Sequence, residues 1–129
     1  NRLGQTDGQG NLVKKSGYVP AQGDLVWLDF DPQAGHEQGG RRPAVVLSPK
    51  AYNQLIGLAL VCPVTSREKG YPFEVRISAG LPVSGVALAD HVKSQDWRAR
   101  RAEFIGRLDA AALTAVLQRT RSLLEQGAS

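Results

Sequence analysis

The sequence predicts an α+β domain: a small, curled sheet of short strands carrying one terminal helix. Three observations lead there. Apolar residues alternate with polar ones in short runs of period two, glycine and proline punctuate those runs, and only the last stretch changes to helical spacing. Residues 1–17 hold glycine, glutamine and charge without an apolar period. They read as a flexible tail or an expression remnant, leaving 18–129 as the single folded domain. Val26, Leu28 and Phe30 alternate with Leu25, Trp27 and Asp29 in a first strand, which Asp31-Pro32 ends. Residues 33–41 are polar and glycine-rich, as a mobile loop should be, and 43–47 form a buried strand. Ser48 as cap and Pro49 at the first helical position predict a short helix to about Leu55.

Residues 57–64 make a third strand, in which Pro63 requires a bulge or a local edge. Two further strands are expected at 72–77 and 85–88, joined by a turn around Gly80 and Pro82, with short strands at 92–97 and 104–105. Leu113, Val116, Leu117, Thr120 and Leu124 then recur at helical spacing behind a capping Asp109, a stripe that serves core packing.

A chain of 129 residues, 42% hydrophobic and 22% charged, can bury one core without staples. Its single cysteine, Cys62, excludes an internal disulfide and a cysteine-rich zinc site, and its apolar neighbours make it a small core hydrophobe. No apolar run approaches the roughly 20 residues of a membrane span, and no apolar leader is visible, so the cytoplasm is the expected compartment. Half of the net charge of +4 lies in residues 1–17, so the body is not basic enough to signal nucleic acid by charge alone. Arginine placement says more, with Arg41-Arg42 and Arg98, Arg100 and Arg101 clustered. Such groups follow a phosphate chain or simply decorate a solvated face. Phosphate-loop, HExxH and GxSxG patterns are all missing, which removes kinase, zinc-protease and serine-hydrolase readings.

Three stretches can carry chemistry. In Gly35-His36-Glu37-Gln38-Gly39-Gly40-Arg41-Arg42-Pro43, an acid and an imidazole sit on a loop that leads a basic pair into a strand. A guanidinium fixed there holds a phosphate by two parallel hydrogen bonds, or pairs with a structural carboxylate. Thr65 closes an apolar strand, where its hydroxyl meets a ligand or satisfies the backbone. Asp90 follows a third apolar run and is either a partly buried carboxylate or a turn cap. His91 lacks companions at metal-ligand spacing, and Trp27 and Trp97 read as packing anchors.

Together these stretches resemble the MazF/PemK (Kid) family of toxin endoribonucleases. The resemblance runs from residue 18 to 125 through Gly23-Asp24-Leu25-Val26-Trp27, Asp29-Phe30-Asp31-Pro32, Glu37-Gln38-Gly39 and Arg42-Pro43-Ala44-Val45-Val46-Leu47-Ser48-Pro49. It continues through Pro63-Val64-Thr65, Gly70-Tyr71-Pro72-Phe73-Glu74-Val75, Gly85-Val86-Ala87-Leu88-Ala89-Asp90 and Asp96-Trp97-Arg98-Ala99-Arg100. Each motif is weak alone; their order and spacing are specific. The resemblance implies a small SH3-like, strongly curled antiparallel β-barrel with a short helix after strand 2 and a C-terminal helix, forming a homodimer. It implies a type II toxin that cuts single-stranded RNA without metal or cofactor, leaving 2′,3′-cyclic phosphate and 5′-hydroxyl ends. A MazE-like antitoxin would lay a disordered segment over the active-site groove.

Carried across position by position, Arg42 and Thr65 match the catalytic arginine and threonine, and Glu37 a loop glutamate implicated in activity. His36 stands where the PemK/Kid branch has a functional histidine, and Asp90 matches that branch's base. Leu88 replaces that branch's arginine and agrees with the MazF branch, so the PemK/Kid acid–base pair does not transfer intact. His91 replaces the glutamine usual after the aspartate, and an imidazole there is expected to bear on RNA preference or pH response. Gln38, Lys69, Lys93 and Arg98 are the candidate substrate contacts. The competing readings are a CcdB-like, non-catalytic gyrase poison and a catalytically dead RNA-binding barrel.

Overall fold

The computed structural model describes residues 17–30 and 40–125. The expectations for the tail, for the 33–39 part of the loop, and for His36, Glu37 and Gln38 lie outside the described residues. Seven strands and two helices follow one another as β1 (Asp24–Phe30), β2 (Gly40–Val46), α1 (Lys50–Ile56), β3 (Ala59–Thr65), β4 (Glu74–Arg76), β5 (Val86–Leu88), β6 (Lys93–Gln95), β7 (Glu103–Arg107) and α2 (Ala110–Ser122). All strand pairs are antiparallel, in the order β4-β5-β3-β2-β1-β7, with β6 added on β3. Among the described residues β4 and β7 end this path without pairing to each other, so the sheet does not close into a ring.

Period two explains how a thin sheet acquires two cores. Leu25, Val45 and Cys62 are cross-strand neighbours on one face, where Val116 of α2 and Val64, Val75 and Ala87 cover them. Val26, Ala44, Val46 and Val61 point to the other face and pack with Leu28, Phe30 and Trp97. The middle strands are therefore apolar on both sides.

Pro63 sits within a central strand, and the pairings show how. The first half of β3 (Ala59, Leu60, Val61) pairs with β6, whereas Val64 and Thr65 pair with β5. Pro63 falls in the gap between those two ladders, where a missing N–H costs nothing, while β2 holds its other side through Ala44. The strand forks at its proline.

The expected Ser48 cap is corrected. Pro49 occupies the N-cap position in extended conformation, with no side-chain cap. The Ser48 hydroxyl instead donates to Asn53 Oδ1 and accepts from the Leu60 N–H at 2.9 Å. Asn53 is fully buried and donates to the carbonyls of Pro20 and Ser48, and its own carbonyl accepts from Trp97 Nε1 at 2.9 Å. A satisfied polar network outcompetes the cap here, and it fixes Trp97 as a packing anchor. Asp109 caps α2 as expected, accepting from the Ala112 N–H at 2.8 Å, and Arg119 and Arg121 complement the helix dipole in the last turn. Leu124 departs from the predicted stripe: α2 ends at Ser122 and Leu124 is 83% exposed.

Candidate active site

Two consecutive arginines on a strand must face opposite ways, and the structure divides them by function. Arg41 lies opposite Asp29 of β1 and bonds its carboxylate at 2.9 Å, while its other nitrogen reaches Glu103 at 3.1 Å and the Arg101 carbonyl at 2.6 Å. Arg101 adds a 2.7 Å bond to the same aspartate from a left-handed backbone conformation (φ 56°). The Arg101 and Arg41 guanidiniums hold the Asp29 carboxyl down at about 2. Arg42 emerges on the other face. It has no ion-pair or hydrogen-bond partner among the described residues, and it lines an open groove. Structural pairing with carboxylates falls to Arg41, which leaves the Arg42 guanidinium available.

The fork in β3 makes that groove. Pairing between β2 and β3 ends at Ala44–Pro63, and continuing its register by two residues would set Arg42 opposite Thr65. Opposite residues of an antiparallel pair share a face, so both side chains line the cleft that opens as β3 turns to β5. The groove measures about 770 Å³. Phe30, Arg67, Ser84, Leu88, Asp90, His91 and Lys93 add to its wall, and Arg41 reaches its rim while paired with Asp29.

Thr65 Oγ1 accepts from the Arg67 N–H at 3.2 Å, a local turn that uses a lone pair and leaves the hydroxyl proton free to donate. Gly85 packs against that strand end. At φ 136°, a Cβ there would lie 2.3 Å from the Thr65 carbonyl oxygen, so only glycine lets β5 approach.

Asp90 is placed by a distant tyrosine. The carboxylate of Glu74 accepts backbone N–H bonds from Lys69, Gly70 and Tyr71 at 2.9–3.2 Å, clamping the loop before β4. That loop delivers the Tyr71 hydroxyl to Asp90 Oδ2 at 2.7 Å. The hydrogen bond to Asp90, then burial, raises the Tyr71 phenol above its ordinary value and keeps it a donor. Asp90 Oδ1 is buried without a hydrogen-bond partner among the described residues, 3.7 Å from His91 Nε2. A second hollow of about 560 Å³ shares Thr65, Arg67, Leu88 and His91 with the groove and extends past Lys69 and Tyr71.

The structure thus brings Arg42, Thr65, Asp90 and Lys93 to one groove and Lys69 to its extension. Lys93 also stands over the Phe30 ring at 5.7 Å. Arg98 lines neither hollow; its guanidinium stacks on Trp97 at 4.7 Å. Burial pushes the Cys62 thiol up to about 12, which agrees with an inert core residue. Sequence reasoning passed over Arg67 and Tyr71. The Arg67 position, two residues past a strand-end threonine, was the only available signal for the first; nothing local pointed to the second. Among the described residues, no cluster of three or more His, Cys, Asp or Glu side chains could hold a metal ion. No helix among them is long and apolar enough to cross a membrane.

Residues 21–124 match the family described as PemK-like, MazF-like toxin of type II toxin-antitoxin system. The chain belongs to this family. Its relatives include the endoribonuclease toxin MazF of Escherichia coli, 61% identical over 87 residues that make up 67% of this chain and 78% of that protein. The E. coli endoribonuclease toxin ChpB is 39% identical over 120 residues, 88% of this chain and all of ChpB. Among solved structures, MazF of Deinococcus radiodurans superposes with a TM-score of 0.77 at 64% identity, covering 83% of this chain and 97% of that one. A MazE–MazF structure from the same organism matches with a TM-score of 0.76 at 62% identity, covering 87% and 99%. The antiparallel sheet with its C-terminal helix is the MazF fold.

Proposed function

We infer that the chain is the endoribonuclease toxin of a type II toxin-antitoxin system, acting on single-stranded RNA. Its family membership and its relatives' activity support the class. The observation that carries the mechanism is the groove lined by both Arg42 and Thr65, with Arg42 free of any carboxylate among the described residues. The ribose 2′-hydroxyl attacks the adjacent phosphorus, the bond to the 5′-oxygen breaks, and the products end in a 2′,3′-cyclic phosphate and a 5′-hydroxyl. Charge that builds on the non-bridging oxygens is met by the Arg42 guanidinium and by a hydrogen bond from the Thr65 hydroxyl. An arginine keeps its proton at neutral pH, so Arg42 is a charge donor and not the base. The proton-accepting end of the site is the Asp90 end, where Oδ1 is buried and has no hydrogen-bond partner among the described residues; His36 and Glu37 are further proton-transfer candidates by the family motif alone.

Lys93, Lys69 and Arg67 contact the RNA backbone on either side of the scissile phosphate, and Gln38 is a further candidate contact by the family motif alone. Unstacked bases are the readable part of such a substrate, because a duplex hides their edges. The sheet curls in the SH3-like manner, bent at the β3 fork, and two copies pair as a homodimer. A MazE-like antitoxin inhibits by laying a segment that orders on binding along the groove. No metal takes part.

Incubating the protein with a long single-stranded RNA in EDTA tests this reading. Discrete cuts with cyclic-phosphate ends are expected. Retention of intact RNA would instead mark a dead binding domain, and trapped gyrase without RNA cleavage a CcdB-like poison.

A further inference from the structure

Deprotonation of the 2′-hydroxyl needs an acceptor, and the Asp90 end of the groove offers an imidazole as well as a carboxylate. His91 follows Asp90 directly and lines both hollows with its side chain 54% exposed, whereas that of Asp90 is only 16% exposed. One oxygen of Asp90 is taken by the Tyr71 hydroxyl at 2.7 Å, and the other, otherwise unpaired, looks at His91 Nε2 across 3.7 Å. A clamped donor fixes a carboxylate, the carboxylate faces one nitrogen of a ring, and the second nitrogen is left for the groove. That order of parts is how a carboxylate orients an imidazole and stabilises its protonated form. The 3.7 Å gap exceeds a hydrogen bond by under 1 Å, the looseness expected before substrate tightens a site.

We propose that His91 is the proton acceptor of RNA cleavage in this protein, with Asp90 and Tyr71 as the residues that position it. The proposal rests on the endoribonuclease reading and deepens it. In the step, the 2′-oxygen forms its bond to phosphorus while its proton passes to the free nitrogen of His91. The bond to the 5′-oxygen breaks, and the departing alkoxide takes a proton from solvent water. The imidazolium then returns its proton to the hydroxide so formed, which restores the enzyme. The charged and titratable groups that line the two hollows with His91 are Asp90 from its own turn, Lys69 and the Tyr71 hydroxyl from the loop before β4, Glu74 from β4, Arg67 from the loop after β3, Arg41 and Arg42 from β2 and Lys93 from β6.

The test is the pH profile of single-turnover cleavage of a short RNA in EDTA, for wild type, His91→Gln, Asp90→Asn and Tyr71→Phe. Wild-type cleavage should rise with pH towards a plateau, as an acceptor that must first lose its proton requires. His91→Gln keeps size and polarity without titrating; it should lose that rise and fall about tenfold or more at pH 7.5, in kcat rather than KM. Asp90→Asn and Tyr71→Phe should each lower kcat with KM unchanged. The ring signal of His91, recognised by its absence in His91→Gln, should move when a non-cleavable 2′-deoxy oligonucleotide binds. A His91→Gln profile that keeps the wild-type rise and rate overturns the proposal while leaving the nuclease reading intact. So does a His91 signal that ignores the oligonucleotide. A wild type that leaves RNA uncut at every pH removes the nuclease reading itself, and this inference with it.

Discussion

Gly85→Ala probes whether β5 sets the position of the catalytic strand end. A Cβ at residue 85 would sit 2.3 Å from the Thr65 carbonyl oxygen and 3.0 Å from its carbon, in a backbone conformation (φ 136°) that L side chains rarely adopt. Relief requires the end of β3 to retreat by about 0.7 Å or more, because Cβ contacts under 3.0 Å essentially never occur. The strained backbone costs about 1–3 kcal/mol and the overpacking about 1–3 kcal/mol. The sum of about 2–6 kcal/mol corresponds to a Tm lower by roughly 8–20 °C in a domain of this size. Activity should fall further than stability explains. A misplacement approaching 1 Å costs on the order of 100-fold in a positioned reaction. The assay is cleavage of a defined RNA at 15–20 °C below the variant's own melting temperature (a choice of about that margin keeps the protein folded), beside Thr65→Ala as a reference. Thr65→Ala removes the hydroxyl without that clash and should keep its Tm within about 2 °C while losing activity. A Gly85→Ala protein with wild-type melting and cleavage within twofold would refute the idea that this contact places Thr65.

Other outcomes follow from the same geometry. Asp29 is held at about 2 by Arg101 and Arg41, below its value of about 3.9 in an unfolded chain, so their mutual support is complete above pH ~4 and is lost as pH falls through about 2. Arg41→Ala should therefore flatten the acid end of a stability-against-pH curve. Tyr18 donates to the buried Asp24 at 2.9 Å, and burial followed by that bond raises its phenol above the ordinary value. Its contribution is present below pH ~10 and is lost at higher pH; Tyr18→Phe should cost about 1–3 kcal/mol in urea unfolding at pH 7 and lessen the alkaline loss. Cys62, with its thiol pushed up to about 12, should resist iodoacetamide at pH 8 in the native protein and react at the rate of unfolding. Leu25→Ala, in the core beneath α2, should cost about 2–5 kcal/mol.

Strands β1, β2 and β3 were legible because alternation with period two survives even where both faces are buried, and α2 because its cap and its apolar spacing agree. The fork at Pro63 was half legible: the residue demanded a local edge, but only the pairings show β5 and β6 sharing one strand. The Ser48 cap failed because the competing partner, Asn53, is set by the Pro20 carbonyl far along the chain. At the site, the division of labour between Arg41 and Arg42 follows from strand geometry once the strand is known to begin at Gly40 rather than at Pro43. The Tyr71–Asp90 bond spans elements that no local pattern links, and the Glu74 clamp that creates it involves backbone donors, which leave no mark on composition. His36, Glu37 and Gln38 lie outside the described residues, and their roles stay proposals that rest on the family motif.

A cycle of single and paired replacements at the groove puts the central claim to its most direct trial: Arg42→Ala, Thr65→Ala and the two combined, in single-turnover cleavage of one mapped RNA in EDTA. If both side chains grip one phosphate, Arg42→Ala should cost about 100-fold or more, and the combined variant should lose markedly less than the product of the separate losses. An Arg42→Ala enzyme cutting within threefold of wild type, or losses that simply multiply, would contradict the account.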